Sequence, residues 1–386
     1  FGGADTAPVV KLSEGKNLLE LWHGPTCAFK DMALQMLPHL LTASLRKTGE
    51  TRTACILVAT SGDTGKAALD GFHDVPGTKI MVYYPVDGVS PMQKLQMATQ
   101  EGANVEVIAI HGNFDDAQSA VKRIFTDDET RAQLDRDGMM LSSANSINWG
   151  RLAPQIAYYV SAYCDMVKAG TIRQGDRINV CVPTGNFGNI LAAYIAKQMG
   201  LPVNKFICAS NRNNVLTDFF KKDGEYNRNR DFYTTTSPSM DILISSNLER
   251  LLFFASDFDD RMVAELMAKL NGEGSYKVAS DVFAKIAADF DAGCCDDEHA
   301  AETIHRLWTE EKYLCDTHTA VAVRVYEDYR ARTGDETPTV IASTASPFKF
   351  CRSVIEALGG TLENDDVTQL EVLSQLTGVP APAPLA

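Results

Sequence analysis

Short apolar, β-branched runs alternate with segments of helical periodicity from residue 54 onward. The first three runs are ACILVA at 54–59, KIMVYY at 79–84 and NVEVIAI at 104–110. Each segment between them has the spacing of an amphipathic helix. This order is typical of βαβ units, so we predict a parallel sheet with right-handed crossovers.

A second set of such runs follows a long amphipathic stretch. It comprises INVCVP at 178–183, KFICAS at 205–210 and, far downstream, TPTVIAST at 337–344. A chain of 386 residues is too long for one ordinary core. We therefore predict an α/β protein of two parallel-sheet domains, with a ligand in the cleft between them.

The predicted boundaries follow these two sets. Residues 1–45 form the N-terminal part of the large domain, and residues 46–155 form a small α/β domain. Residues 156–386 form the large α/β domain, with an inserted segment near 220–300 that lacks strong periodicity.

Charge and cysteine usage narrow the functional classes. With 36 basic and 50 acidic residues the net charge is -14, which argues against nucleic-acid or anionic-membrane partners. No apolar run approaches the roughly 18 residues of a membrane span. Nine scattered cysteines are typical of free thiols in a reducing compartment, and we expect the cytoplasm. The CCDDEH cluster lacks the spacing of zinc sites, so no metal is expected.

The segment LELWHGPTCAFKD, residues 19–31, places Lys30 at a loop-to-helix junction. A lysine on a solvated helix face is the ordinary interpretation of such a residue. A lysine held near an apolar wall can instead lose its proton and act as a nucleophile.

In parallel sheets, ligands bind beyond the carboxyl ends of the strands, so the loops there are candidate sites. After ACILVA comes TSGDTGKAAL, with Ser61, Gly62, Asp63 and Thr64 leading into a helix whose N-H groups could bind a carboxylate or phosphate. The segment is not a P-loop, since Ala67 follows its lysine. A simple N-cap turn is the alternative.

After INVCVP comes TGNFGNILAAY at the start of a second helix. Its glycines let the backbone close around an anion, but it lacks the G-x-G-x-x-G spacing of dinucleotide sites. One phosphate therefore fits better than a pyrophosphate. The loop residues are Gly185, Asn186, Phe187, Gly188 and Asn189.

Two further loops carry polar groups. SSANSINWGRLAPQ contains Asn145, Ser146, Asn148 and Arg151, which are either turn formers and a surface arginine or an anion site. In ASTASPFKF, the hydroxyl of Ser343 or Thr344 could bond a neutral ring nitrogen.

Together, a reactive lysine, a site for one phosphate, a hydroxyl for a pyridine nitrogen and an extra anion site are the parts of a pyridoxal phosphate enzyme. The chain resembles the threonine synthase family, in the longer form of many bacteria and fungi. That family belongs to the pyridoxal phosphate enzymes with the tryptophan synthase β-subunit type of fold, fold type II. The matching segments run in family order from residue 18 to residue 350: LELWHGPTCAFKD, ATSGDTGKAAL, VSPMQKLQM, NSINWGRLAPQ, PTGNFGNILAAY, SPSMDILISSNLERL, DTHTAVA and STASPFKF.

The resemblance implies a carbon-oxygen lyase acting on phosphates. It would convert O-phospho-L-homoserine and water to L-threonine and phosphate by γ-elimination and β-addition of water. Lys30 would bind pyridoxal 5'-phosphate as a Schiff base and carry protons. The loop from Gly185 to Asn189 would hold the cofactor phosphate, Thr344 would face the ring nitrogen, and Asp63 would lie near the 3-hydroxyl. The substrate residues implied are Ser61, Gly62 and Thr64 for the carboxylate, and Asn145, Ser146, Asn148 and Arg151 for the phosphate.

Two departures from the family pattern are visible. Ser346 stands where family members commonly have His. The family usually carries a further region before HGPT, so we expect a truncated or incomplete form.

Two other functions share parts of the pattern. A serine or threonine dehydratase, or a β-replacement enzyme, would share Lys30 and the glycine loop without needing a second phosphate site. A non-catalytic pyridoxal phosphate-binding protein is the alternative of another class, and an intact Lys30 argues against it.

Overall fold

The computed structural model describes residues 6–13, 15–60, 62–86, 89–112, 114–365 and 367–386. The described chain divides into two compact units. The small unit comprises residues 22–155 and 363–386, and the large unit comprises residues 6–21 and 156–362.

The strands, in chain order, are β1 Val9–Lys11, β2 Lys16–Glu20, β3 Thr53–Ala59, β4 Thr78–Pro85, β5 Val105–Ile110, β6 Met139–Ser143, β7 Ile178–Pro183, β8 Val203–Ser210, β9 Glu225–Asn227, β10 Ser275–Lys277, β11 Phe290–Cys294 and β12 Thr339–Ser343. The helices are α1 Lys30–Thr48, α2 Asp63–Phe72, α3 Pro91–Ala98, α4 Phe114–Thr126, α5 Asp128–Arg136, α6 Trp149–Leu152, α7 Ile156–Lys168, α8 Gly188–Gln198, α9 Val215–Lys221, α10 Leu248–Ala255, α11 Asp260–Gly272, α12 Ser280–Asp289, α13 Asp297–Glu311, α14 Thr317–Thr333, α15 Cys351–Ala357 and α16 Thr368–Thr377.

The small unit contains a sheet of order β5-β4-β3-β6, in which every described pair is parallel. Successive side chains of β3 point to opposite faces, and both faces are covered. Ile56 and Val58 lie in a core with residues of α1 and α2. Cys55 and Leu57 pack on the other face against α4. The predicted parallel sheet is confirmed here, with strand ends within two residues of those expected.

The division of the chain differs from the predicted boundaries at both ends. Residues 22–45, assigned to the large domain from the sequence, belong to the small unit, because Leu34 and Leu37 of α1 lie in the same core as β3 and β4. Residues 363–386 also belong to the small unit. Helical periodicity shows which face of α1 is apolar, but it does not show which sheet that face covers.

The large unit contains a sheet of order β1-β2-β12-β7-β8-β11. Its pairs are parallel except that β1 runs antiparallel to β2. The strands β7, β8 and β12 confirm the second predicted set. The edge strand β11 has the sequence FDAGC, whose aspartate and glycine conceal its strand character in a propensity pattern.

The polar segment around 221–241, part of the predicted insertion, is ordered by a buried hydrogen-bond network. The Asp241 carboxylate accepts from Asn211 Nδ2 at 2.8 Å, Asn213 Nδ2 at 3.0 Å and Thr235 N at 3.0 Å. Burial raises the pKa of Asp241, although the hydrogen bonds from Thr235 and Asn211 oppose the rise. Within the described residues, no helix is both long and apolar enough to cross a membrane.

We expect the turn between α14 and β12 to be stabilised by ionised Asp335. Partial burial by itself raises the pKa of this group, but bonds from Thr337, Tyr329 and Asn179 outweigh it and lower the pKa to about 2. The Asp335→Asn variant should lose about 1 kcal/mol of unfolding free energy at neutral pH. Because the folded-state pKa is depressed, this contribution is present above about pH 4 and is lost as the pH falls toward 2.

Chemical denaturation of both proteins at several pH values measures the effect. The matched control is Glu336→Gln, since the Glu336 side chain is 83% exposed and lies 3.8 Å from Arg330. A difference between Asp335→Asn and the parent protein that stays constant down to pH 2 would contradict the assignment.

Candidate active site

The loop before α1 is folded around one buried carboxylate. Asp31 accepts hydrogen bonds from Thr26 N at 2.9 Å, from the Thr26 hydroxyl and from Ala28 N at 3.5 Å. A Cβ atom at Gly24 would lie 2.4 Å from Asp31 Oδ2, so the close approach requires glycine. These contacts explain why Gly24, Thr26 and Asp31 occur together in the GPTCAFKD segment. They also fix the start of α1, where Lys30 stands.

Lys30 is 7% exposed, which removes the interpretation of a lysine on a solvated helix face. Its Nζ lies 3.4 Å from Asp63 Oδ2 and 4.5 Å from the centroid of the Phe29 ring. A buried amine beside an apolar ring and a carboxylate is the setting in which a lysine can change its protonation state during a reaction. The structure thus brings together two predicted site residues, Lys30 and Asp63.

Asp63 begins α2, directly after the carboxyl end of β3. The turn is organised by Thr60, whose hydroxyl accepts from Gly62 N at 2.9 Å and from Gly65 N at 2.8 Å. Gly62 has a φ of 132°, a backbone conformation that favours glycine. Ser61 lies outside the described residues.

Asn145 and Asn148, two predicted substrate residues, hold main-chain groups of their own unit. Asn145 Nδ2 donates to Ala59 O at 2.8 Å and its Oδ1 accepts from Ala59 N at 3.3 Å. Asn148 donates to Ser143 O at 2.8 Å and caps α6 by accepting from Gly150 N at 2.9 Å. The geometry favours the turn-forming interpretation for both amides. Ser146 is half-buried in the same loop.

Arg151 is 5% exposed, so it is not the surface arginine of the alternative interpretation. Its Nη1 donates to Ala144 O at 2.8 Å, and its Nη2 donates to Thr64 Oγ1 at 3.4 Å. Thr64 follows Asp63 in the first turn of α2. The guanidinium is therefore held at the N-terminus of α2, which also carries Asp63. A guanidinium and a helix N-terminus each favour an anionic ligand.

In the large unit, the loop between β7 and α8 is held by the segment that follows β9. Gly185 O accepts from Ser245 Oγ at 2.7 Å, and Asn186 O accepts from Asn247 N at 3.1 Å and Asn247 Nδ2 at 2.9 Å. A Cβ at Gly185 would lie 2.7 Å from Ser239 O. The carbonyl groups of the loop are thus engaged by the protein.

Phe187 has a φ of 62°, and its ring is buried against Phe220 and Phe290 at centroid distances of 6.2 and 5.9 Å. Its side chain therefore belongs to the core, and only its main chain remains for a ligand. A Cβ at Gly188 would meet Asn247 Nδ2 at 3.7 Å, an ordinary contact. Packing among the described residues does not explain a glycine there, whereas close approach of a ligand does.

The side-chain amide of Asn189 is held in one orientation, with its NH₂ group as a donor. The Tyr159 hydroxyl donates to Asn189 Oδ1, which fixes the orientation of the amide. Asn189 is 7% exposed, and its buried Nδ2 has no hydrogen-bond partner among the described residues. Buried donors are almost always paired in folded proteins, so this group fits an acceptor such as a phosphate oxygen.

The two hydroxyls at the carboxyl end of β12 differ in their hydrogen bonding. Ser343 Oγ accepts from Tyr313 OH at 3.3 Å and from Thr319 Oγ1 at 3.2 Å. Thr344 is 5% exposed and forms no side-chain hydrogen bond with the described residues. Thr344 is therefore the hydroxyl that remains for a ring nitrogen. Ser346 caps the short helix Pro347–Phe350 by accepting from Phe348 N at 3.3 Å.

Two buried residues beside the predicted ones were missed by sequence reasoning. Gln93 Nε2 donates to Asp63 Oδ1 at 2.9 Å, and its only sequence signal is the Ser-x-x-Gln capping pattern of VSPMQKLQM. Tyr159 lies in the periodic helix α7, where nothing distinguishes it from a core tyrosine.

A third missed residue is His318, in the DTHTAVA segment. Its Nδ1 lies 2.7 Å from Asp316 Oδ2, and its Nε2 accepts from Ser239 N at 3.2 Å. Ser239 packs against Gly185, so the buried pair of His318 and Asp316 holds a segment that contacts the glycine loop.

Comparisons with known proteins identify the family to which the chain belongs. A family model described as pyridoxal-phosphate dependent enzyme matches residues 18–344. A second model, for the C-terminal part of threonine synthase, matches residues 319–380. These matches define a pyridoxal-phosphate-dependent enzyme of α/β architecture and confirm the predicted cofactor.

Threonine synthase of Pseudomonas aeruginosa is 40% identical over 357 residues, covering 92% of this chain and 73% of that protein. The structure of pyridoxal phosphate-bound threonine synthase from Brucella melitensis matches with a TM-score of 0.84 and 38% identity, covering 97% of this chain and 77% of that one. The chain belongs to the threonine synthase family, and its fold type II architecture is confirmed.

Human threonine synthase-like 1 is 42% identical over 389 residues, covering 98% of this chain. The chain spans 51% of that relative's length, about half.

We expect Asn145 to be required for stability even without any ligand. Asn145→Ala removes both bonds to the last residue of β3 and should cost about 1–3 kcal/mol of unfolding free energy. Asn145→Asp keeps an acceptor but turns a carboxylate toward Ala59 O, so it should destabilise at least as much. Thermal unfolding of the ligand-free proteins measures this. A melting temperature equal to that of the parent protein in Asn145→Ala would show that these bonds are dispensable.

Proposed function

We propose that this protein converts O-phospho-L-homoserine and water to L-threonine and inorganic phosphate, using pyridoxal phosphate. Membership of the threonine synthase family supports the proposal. The observation that carries it is the buried Arg151 guanidinium beside Thr64, in the same unit as the buried pair of Lys30 and Asp63. It provides an anion site separate from the glycine loop.

The residues of the large unit fit the cofactor. One phosphate group suits the space at Gly188, the N-terminus of α8 and the Nδ2 of Asn189, which has no partner in the described parts of the chain. The hydroxyl of Thr344 suits a neutral pyridine nitrogen. When bound, pyridoxal phosphate supplies an electron sink for negative charge that develops on the substrate carbons.

Lys30 has two roles in the proposed reaction. Its amine would hold the cofactor covalently, and in its free form it would carry protons at Cα, Cβ and Cγ of the substrate. Asp63 and the face of the Phe29 ring stabilise the charged form of this amine, while burial favours the neutral form. A group balanced between the two states can both accept and donate a proton.

Arg151 is assigned to the substrate phosphate, which leaves from Cγ with the electrons of the C-O bond. The net charge of -14 repels a dianion at long range, so the phosphate must be held by local donors. A guanidinium offers parallel N-H donors to phosphate oxygens. Ser61, Gly62 and Thr64 remain proposed for the substrate carboxylate. Asn145, Ser146 and Asn148 remain proposed, with Arg151, for the substrate phosphate.

A dehydratase or β-replacement enzyme does not need the Arg151 site, and a non-catalytic binding protein does not need the Lys30–Asp63 pair. These two features favour threonine synthase activity over both. We also propose a cytoplasmic location, which is supported by free thiols at all nine cysteines.

The test is the formation of threonine and phosphate from O-phospho-L-homoserine with added cofactor. Stoichiometric release of both products is expected. Turnover of serine or threonine to an oxo acid without phosphate specificity would favour a dehydratase. A cofactor absorbance band with no turnover of any of these substrates would favour a binding protein.

Lys30→Ala should abolish turnover without unfolding the protein, because it removes the covalent anchor and the proton carrier. The cofactor band should no longer become fixed to the protein after borohydride reduction. Lys94→Ala is the control, since Lys94 is an exposed lysine in α3. Parent-level activity in Lys30→Ala would refute the assignment.

Arg151→Ala should lower kcat/KM for O-phospho-L-homoserine while cofactor affinity is retained. Loss of a buried, charge-assisted contact costs about 2–4 kcal/mol, or roughly 30- to 800-fold in efficiency. Arg151→Lys should be impaired less, because ammonium keeps the charge but not the paired donors. Steady-state kinetics and cofactor titration measure the two quantities. A collapse of cofactor affinity instead would mean that the two phosphate sites are assigned in reverse.

A further inference from the structure

Gln93 and Lys30 contact opposite oxygens of the same carboxylate. Gln93 Nε2 donates to Asp63 Oδ1 at 2.9 Å, and Lys30 Nζ lies 3.4 Å from Asp63 Oδ2. Gln93 is 0% exposed and Asp63 is 3% exposed, so water does not compete for these bonds. Gln93 is thus linked to the proposed reactive amine of Lys30 through Asp63, although it is not one of the predicted site residues.

The direction of the Gln93 amide is determined by the start of α3. Its Oε1 accepts from Ser90 N at 3.1 Å, while Ser90 Oγ accepts from Gln93 N at 3.2 Å. With its oxygen engaged by a main-chain N-H, the amide presents its NH₂ group to Asp63. An NH₂ group can only donate, so the facing oxygen of Asp63 must accept and carries no proton.

Gly62 makes this contact sterically possible. A Cβ at that position would lie 2.3 Å from the amide carbon and oxygen of Gln93 and 2.6 Å from its nitrogen. A side chain at residue 62 would displace the amide from Asp63. The glycine that opens α2 and the glutamine of α3 are therefore parts of one arrangement.

We propose that Gln93 is a positioning residue that holds Asp63 ionised and in a fixed orientation beside Lys30. The inference rests on the proposed function only in that Lys30 is taken as the reactive amine. A carboxylate with a donor on each oxygen is held against rotation and protonation. The orientation of the Gln93 amide is set by Ser90 and not by Lys30. Asp63 therefore keeps this donor when the amine moves to another partner.

The competing explanation is that Gln93 serves only the capping box of α3. Ser90→Ala separates the two roles, since it removes the side-chain half of the box but keeps the main-chain N-H that orients the amide. Gln96→Met is a second control. Gln96 is buried in the same helix, and its amide has no hydrogen-bond partner among the described residues.

The first test uses Gln93→Met in the chain freed of cofactor. Acetylation of Lys30 by acetic anhydride is followed by peptide mass spectrometry at a fixed pH near neutrality. Only the neutral amine reacts, and an Asp63 carboxyl that has lost its Gln93 donor takes up a proton or turns away, so it no longer stabilises the ammonium form. Labelling of Lys30 should become about tenfold faster. Ser90→Ala and Gln96→Met should label at the rate of the parent protein.

The second test uses Gln93→Met, which keeps the volume but donates no hydrogen bond, in the cofactor-loaded enzyme. Loss of a positioned carboxylate should lower kcat by about tenfold. KM for O-phospho-L-homoserine should change less than threefold, because the Arg151 site is untouched. Ser90→Ala should lower the melting temperature, as loss of an N-cap does, and should leave kcat unchanged.

Parent-level labelling or parent-level kcat in a folded Gln93→Met protein would overturn the inference and leave Gln93 as a capping residue. The labelling test involves no substrate. If the parent protein does not turn over O-phospho-L-homoserine but Gln93→Met still labels faster than the parent, the proposed function fails and the role of Gln93 toward Lys30 stands.

Discussion

Burial of an ammonium group beside a carboxylate is the constraint around which the small unit is arranged. Two charges taken out of water are tolerated only when their geometry is good and their remaining hydrogen-bonding capacity is satisfied. Lys30 and Asp63 meet this condition because each stands at the first residue of a helix. The loop folded around Asp31 fixes one helix start, and the Thr60 turn fixes the other.

The same constraint explains why three separate segments are needed for one amine. Asp63 must present one oxygen to Lys30 and the other to Gln93, which requires a glycine at position 62 and the main-chain N-H of Ser90 that orients the Gln93 amide. A substitution at Gly62 or Gln93 is therefore expected to be felt at Lys30 through the carboxylate. Such residues do not touch the amine themselves, yet they set the field in which it gains and loses a proton.

The large unit follows a complementary rule. The carbonyls of Gly185 and Asn186 are engaged by Ser245 and Asn247. At the predicted cofactor site, Asn189 Nδ2 and the Thr344 hydroxyl have no hydrogen-bond partner among the described residues. They offer a donor for an anion and a hydroxyl for a ring nitrogen. Both follow the carboxyl ends of strands β7 and β12, where parallel sheets bind their ligands. These two groups thus match what the phosphate and the ring nitrogen of the expected cofactor require.

The amino-acid sequence by itself determined the strands β3, β4, β5, β7, β8 and β12, the family, the cofactor and the position of Lys30. These depend on local periodicity and on ordered motifs that are visible along the chain. Tertiary structure decided that α1 covers the small sheet, that Asn145 and Asn148 hold main-chain groups, and that Gln93 and Tyr159 orient site residues. The physical reason is that a periodic pattern specifies which face of an element is buried, whereas the partner of a buried polar atom depends on packing between segments far apart in the chain.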